Sequence, residues 1–200
     1  MRVLFLNGPP RSGKDTLASL VAARYPRTIV HVKLAGYLKE MASKLFPYKF
    51  DDYLWMEKYK DQRLEGLHNR TPREVLIQLS EYFYKPLFTA DFFGRMLLSR
   101  LNSLQQLDFT AAVVSDSGFD DEIKPIYRSS AVTDARVVRL YRESCSFYDD
   151  SRNYLKRDEH PHRIDIIDYH NTDMSRLVEF AQQQAEWLVC ANESVDHLGD

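Results

Sequence analysis

Glycine is scarce in this chain: there are seven, with eight prolines, in 200 residues. That excludes a collagen-like repeat or a low-complexity tail. It also makes each glycine informative, because glycine serves where the backbone must turn sharply or approach another group closely. Cysteine is nearly absent. Cys145 and Cys190 fit neither a disulfide framework nor a metal-ligand spacing, so a reducing compartment is expected. His160-Pro161-His162 lacks third and fourth ligands nearby and reads as a loop. No apolar run reaches membrane length, and Met1 to Leu6 stops at Asn7, too short for a signal-peptide core or a span. The expectation is a cytoplasmic protein with no membrane partner and no obvious protein partner. A large excess of either charge is missing too: 27 Lys and Arg face 29 Asp and Glu, for a net charge of −2. This speaks against a nucleic-acid coat protein but is compatible with a local basic groove.

What is present fits one domain, residues 1–200, with a core that needs no covalent staple. Residues 2–6 read as a strand buried on both faces, followed by a turn at 7–13 and a helix over 14–25 that Pro26 ends. The β-branched stretch Thr28 to Leu34 predicts a second strand, and a helix follows from Tyr37 to Leu45. Residues 46–110 read as a helical insertion. Within it, Thr71-Pro72-Arg73-Glu74 is a helix start with Thr as N-cap and Pro at the first position. That helix is expected to run to Tyr84 and to break at Pro86, with another over 89–107. Strands are expected at Ala111 to Ser115, Arg136 to Tyr141 and Ile164 to Tyr169, with helices at 119–128 and Asp173 to Leu188. The polar stretch 142–162 reads as a lid. Strands alternating with helices predict an α/β fold: a three-layer sandwich around a mostly parallel sheet.

The most specific feature is Gly8-Pro9-Pro10-Arg11-Ser12-Gly13-Lys14-Asp15-Thr16, between the first strand and the first helix. A Gly-x4-Gly-Lys run in that context is a phosphate-binding loop. Its backbone N–H groups and the helix N-terminus form a concave anion site. Gly8 and Gly13 permit the tight turn, Lys14 brings a point charge to the β- and γ-phosphates, and Thr16 adds a hydroxyl near the α-phosphate. Asp15 stands where Ser or Thr is usual, and its carboxylate suits Mg²⁺, which prefers oxygen ligands. ATP and Mg²⁺ are the expected cofactors.

Gly13-Lys14-Asp15-Thr16 narrows the comparison. Together with Leu34 to Glu40, Thr71 to Gln78, Val113 to Asp116 with Glu122, Val137 to Arg142, and Asp168 to Asn171, it resembles bacteriophage deoxynucleoside monophosphate kinases. The matches run in order over nearly the whole chain. A related branch phosphorylates 5-hydroxymethyluracil within DNA. The family often carries Asp-x-Arg where this chain reads Asp116-Ser117-Gly118, so one anion contact is missing. The resemblance implies a P-loop kinase acting on a nucleotide or on hydroxymethylated DNA, in the host cytoplasm if phage-encoded.

It also implies roles. Lys14, Asp116, Arg142 and Arg152 are the candidate catalytic groups, with Arg157 a further lid arginine. Asp15 and Asp116 would face Mg²⁺, Lys39 and Arg73 the acceptor, and Asn171 the adenine. Each has an ordinary alternative: a cap on the following helix for Asp116, a surface position for Arg73 and Lys39, a turn for Asn171, a solvated loop for 142–162. An ionised phosphate acceptor needs arginines only. A hydroxymethyl acceptor profits from a carboxylate base, for which Asp116 and the Asp51-Asp52 pair are candidates, and its base must leave the DNA stack. The aromatics of 46–59 and 82–93 are available for stacking, or for core. The competing class is a P-loop NTP hydrolase or regulatory nucleotide-binding module. Against the hydrolase stands the lack of an Asn-Lys-x-Asp guanine motif and of an arginine-finger partner pattern; against a catalytically dead module stands the presence of Lys14, Asp15 and Asp116 together.

Overall fold

A computed structural model of the chain describes residues 1–148, 150–159 and 164–190. Asp149, His160 and His162 lie outside these. Among the described residues, five strands form one sheet: β1 (Arg2–Asn7), β2 (Ile29–Val32), β3 (Ala111–Ser117), β4 (Asp134–Tyr141) and β5 (Asp165–His170). Their order across the sheet is β2-β3-β1-β4-β5, and every pairing is parallel. Parallel neighbours require crossovers, and these coat both faces with helices.

Side-chain alternation along β1 assigns the faces. Val3 and Phe5 join one core; Leu4 and Leu6 join the other. On the Leu4 face lie α1 (Lys14–Arg24) and α8 (Met174–Val189), through Leu17, Val21, Leu177 and Leu188. On the Val3 face lie α2 (Ala35–Leu45), α3 (Tyr53–Tyr59), α4 (Pro72–Gln78), α6 (Phe92–Gln105) and α7 (Asp120–Tyr127). The result is the three-layer α/β sandwich that the alternation of strands and helices predicts. Among the described residues no helix is long and apolar enough to cross a membrane.

Local signals explain most boundaries. Thr71 and Glu74 form a reciprocal capping box at the start of α4: Glu74 N–H donates to Thr71 Oγ1 at 3.1 Å, and Thr71 N–H to Glu74 Oε2 at 2.8 Å. Asp173 caps α8. Two readings change. Pro86 does not break the helical path. The chain passes from α4 through a π-helical stretch, Leu79–Tyr84, into the short turn α5 (Lys85–Leu87), which holds Pro86 in its first positions. Within 46–70 only α3 and a single 3₁₀ turn, Glu65–Leu67, are helical; aromatic packing of Tyr48, Phe50, Trp55 and Tyr59 orders the rest.

Helices α6 and α7 touch at Gly94. A Cβ there would lie 2.0 Å from the Glu122 carbonyl oxygen. Helix propensity alone favours Gly94→Ala by up to about 1 kcal/mol, but backbone against backbone cannot yield without parting the helices. Gly94→Ala is therefore expected to destabilise the fold by about 3 kcal/mol. Urea unfolding checks this: the midpoint falls at unchanged slope.

Candidate functional site

All five parallel strands end at the same edge of the sheet, and the glycine loop leaves the central strand there, where binding crevices of open α/β sheets form. The loop backbone alternates hand. Arg11 has φ 66° and Gly13 φ 104°, both left-handed, a pattern that turns successive N–H groups toward one concavity. For Arg11 this conformation costs about 1 kcal/mol, a strain held at the site. Gly8 has a second reason to be glycine: a Cβ would lie 2.7 Å from the Leu140 carbonyl oxygen of β4.

Lys14 opens α1 and is buried. Its Nζ donates to the carbonyls of Gly8 at 2.7 Å and Pro9 at 2.6 Å. Burial, with Arg152 nearby, pushes its pKa down to about 8. Asn171, just past β5, donates from Nδ2 to the Ser12 carbonyl at 2.9 Å. It thereby clamps the loop and also lines a cavity of about 650 Å³ with Tyr141, Arg142, Cys145, Tyr154 and His170. Tyr154, Tyr141 and His170 stack in that wall. Arg142 Nη1 donates to the Arg11 carbonyl at 3.2 Å, so it rests on the loop itself.

Asp15 and Asp116 are both engaged. Asp15 Oδ1 pairs with Lys33 Nζ at 2.7 Å and accepts from Ser115 Oγ at 2.8 Å. Burial raises the Asp15 pKa, but these contacts outweigh it and hold the carboxyl below its ordinary value. Asp116 accepts two backbone N–H bonds, from Leu34 at 2.7 Å and Ala35 at 2.9 Å. It thus caps α2, whereas the sequence alternative had it capping the helix that follows, α7. Side-chain alternation along β3 accounts for this: Asp116 follows Ala112 and Val114 on the face that α2 covers.

Arg152 comes from the 142–162 segment and packs across Gly118: a Cβ on Gly118 would lie 2.6 Å from Arg152 Cβ and Cγ. The guanidinium pairs with Asp150, Nη2 to Oδ2 at 2.6 Å. Burial opposes its charge, yet Asp150, Asp116 and Glu122 raise its pKa. A guanidinium therefore stands over the position where Asp-x-Arg would have supplied one. The rest of the segment is less lid-like than expected. Leu155 is buried in the core, and Asn7 fastens this stretch to the sheet. Asn7 Nδ2 donates to the Ser117 and Asn153 carbonyls, each at 3.0 Å, and Oδ1 accepts from Leu155 N–H at 2.9 Å. Arg157 turns away to the Ile166 carbonyl of β5.

At the start of α4, Arg73 pairs with Asp61 at 2.7 Å; Asp150 is held below its ordinary value against burial, by Arg152 first and by the Arg73 charge least. Asp61 in turn feels Arg11 of the loop. Lys39 is half-buried; burial lowers its pKa, with Lys33 also lowering it and Asp116 and Asp15 raising it. Direct contacts thus gather Arg11, Lys14, Lys33, Arg142 and Arg152 at the loop, while Lys39 and Arg73 act on it through their charge. Asp51 and Asp52 stand apart: one accepts from Ser43, the other caps α3. Glu122 turns inward, where burial pushes it up to about 7 against the pull of Lys85, 3.2 Å away. Sequence reasoning passed over Asn7, Lys33 and the His31–Ser115 contact. The available signals were a polar residue ending an apolar strand and a lysine just past a β-branched one.

The depressed Lys14 pKa carries a sign. Between about pH 8 and 10.5 the unfolded chain holds a proton that the folded chain has lost, so stability rises with pH. Relative to Lys14→Met, the ligand-free protein is expected to gain on the order of 2 kcal/mol from pH 7.5 to pH 10. Urea unfolding of both proteins at the two pH values measures the difference.

No protein-family profile matches the chain, and no curated protein matches it. Among solved structures, a sugar kinase from a Janibacter species aligns over 92% of this chain and 93% of its own, with a TM-score of 0.50 at 10% identity. A dephospho-CoA kinase from Campylobacter jejuni covers 94% of this chain and 97% of its own, with a TM-score of 0.44 at 13% identity. The likeness to the sugar kinase is one of fold.

Proposed function

We propose that this chain is an ATP-dependent P-loop kinase that transfers a phosphoryl group to a deoxynucleotide-type acceptor. The observation that carries the reading is the set of cations fixed on and beside one glycine loop: Lys14 on the Gly8 and Pro9 carbonyls, Arg142 on the Arg11 carbonyl, Lys33 on Asp15 and Arg152 across Gly118; Lys39 and Arg73 are assigned to the acceptor. Phosphoryl transfer asks mainly for alignment and charge neutralisation, and such a set supplies both.

The residues fit the cofactors. Gly8 and Gly13 sit too close to Leu140 and Asn171 to carry a side chain, and the left-handed Arg11 and Gly13 turn loop N–H groups toward one concavity, as a phosphate cradle requires. The adjoining cavity walled by Tyr141, Tyr154 and His170 suits a stacked nucleobase. Mg²⁺ at such a loop would be carried mostly by phosphates and water, with one or two carboxylates beside it. Asp15 is the nearer candidate, because both Asp116 oxygens already accept N–H bonds. Bound ATP supplies the transferred group, and Mg²⁺ offsets its charge.

Two acceptors are distinguished by the carboxylates. Asp15, Asp116 and Asp150 are all held by cations or N–H groups, which favours an acceptor oxygen that is already ionised, as in a deoxynucleoside monophosphate. The second reading is 5-hydroxymethyluracil within DNA. Gly118 in place of an arginine favours it, as do Tyr82, Phe83 and Phe88, exposed on and beside the π-helical stretch, whose ring faces suit an unstacked base.

The test is incubation with γ-labelled ATP and, separately, each deoxynucleoside monophosphate, hydroxymethyluracil-containing DNA and plain DNA. Label in a free monophosphate supports the first reading; label in the modified DNA alone sinks it in favour of the second. Phosphate release with no labelled acceptor overturns the kinase reading and supports an NTP hydrolase. Lys14→Ala is expected to abolish every transfer. Arg73→Ala is expected to raise the acceptor KM about 10- to 100-fold with a smaller change in kcat.

A further inference from the structure

Asp15 poses an electrostatic problem. It is the second residue of α1, directly after the loop lysine, where the usual residue is an uncharged Ser or Thr. A carboxylate there faces the same concavity as the phosphates. Two like charges about 4 Å apart repel by several kcal/mol at the effective dielectric of a protein surface. A glycine loop that keeps an anion at this position needs a cation to accompany it.

The structure supplies one from another element. Lys33 directly follows β2, and its Nζ sits 2.7 Å from Asp15 Oδ1. The same oxygen accepts from Ser115 Oγ of β3 at 2.8 Å. Ser115 Oγ is itself 2.8 Å from His31 Nε2, on β2. Strands β2 and β3 are adjacent, so the carboxylate is gripped by two neighbouring strand ends and its position is fixed without any ligand. Among the described residues no hydrogen bond reaches Oδ2.

We infer that Lys33 is the resident counter-ion of Asp15, and that the Asp15–Lys33 pair together occupies the role an uncharged hydroxyl fills in the usual loop. Lys33 thereby acts through Asp15 as a positioning residue for phosphate binding. An ordinary surface ion pair would be worth little and its loss would not change nucleotide affinity. This inference rests on the loop being a nucleotide site.

The experiment measures ADP binding by calorimetry to the full chain, in EDTA and in Mg²⁺, for wild type, Lys33→Met, Lys33→Arg, Asp15→Ser and Asp15→Ser/Lys33→Met. Thermal melts confirm that each variant is folded; Lys33 is partly exposed, so the fold is expected to tolerate its loss. In EDTA, Lys33→Met is expected to weaken ADP binding about tenfold, because the carboxylate then meets the phosphates uncompensated. Lys33→Arg retains most of the affinity. Removing the carboxylate as well, in Asp15→Ser/Lys33→Met, returns the dissociation constant to within about threefold of wild type. In Mg²⁺ the Lys33→Met penalty shrinks, since the metal gives Asp15 another cation.

Wild-type affinity in Lys33→Met overturns the inference. So does a double variant as weak as Lys33→Met, or a Lys33→Arg as weak as Lys33→Met. In these cases the wild type still binds ADP, and the nucleotide-site reading survives. A wild type that binds no nucleotide overturns that reading and this inference with it.

Discussion

The site hangs on one constraint: β1 lies at the centre of an all-parallel sheet, with β3 on one side and β4 on the other. A strand so placed is covered on both faces, so it must be apolar along its length, and Val3 to Leu6 are fully buried. The first position where polarity is tolerated is the strand's end. Asn7 occupies it and uses its side chain on three neighbours from β3 and the 150s segment. The loop that follows emerges between two flanking strand ends. Lys33 and Ser115 then reach Asp15 from neighbouring strand ends, and Arg142 and Arg152 come from the segment laid across that edge.

This arrangement concentrates charge at a cost to the fold. A buried ammonium, a left-handed arginine and several guanidiniums close together are individually unfavourable. They persist because backbone carbonyls, Asp150 and Asp15 hold them in place before any anion arrives. Under the proposed function, preorganisation of this kind is what electrostatic catalysis requires, because no reorientation is left for the reacting complex to perform.

The loop, the strands and the Thr71 cap were legible because each rests on local chemistry: a spacing, an apolar run, a capping pair. The long-range partners were not. Asp116 was read as able to cap the helix after it, but it meets the start of α2, a helix brought over that face of β3 from much earlier in the chain. Pro86 was read as a breaker, because nothing in the sequence announces a π-helical stretch that delivers the chain to a new helical start. The stretch 142–162 looked solvated because its polar residues outnumber the one leucine, Leu155, that buries itself and carries the backbone with it. Asp15 was read for Mg²⁺ alone, and Lys33, which comes to it from the end of β2, was passed over.

Gly118 and Arg152 share one volume. The aliphatic stem of the arginine fills the space a Cβ at 118 would need, so the residue from β3's end and the residue from the later segment are alternatives for one place above the sheet. Neither can drift alone. Enlarging 118 evicts the guanidinium, and shortening 152 opens a gap over the strand end. In descendants of this chain the two positions should vary in concert, and a side chain gained at 118 marks a lineage in which the cation at the strand end has changed its point of origin.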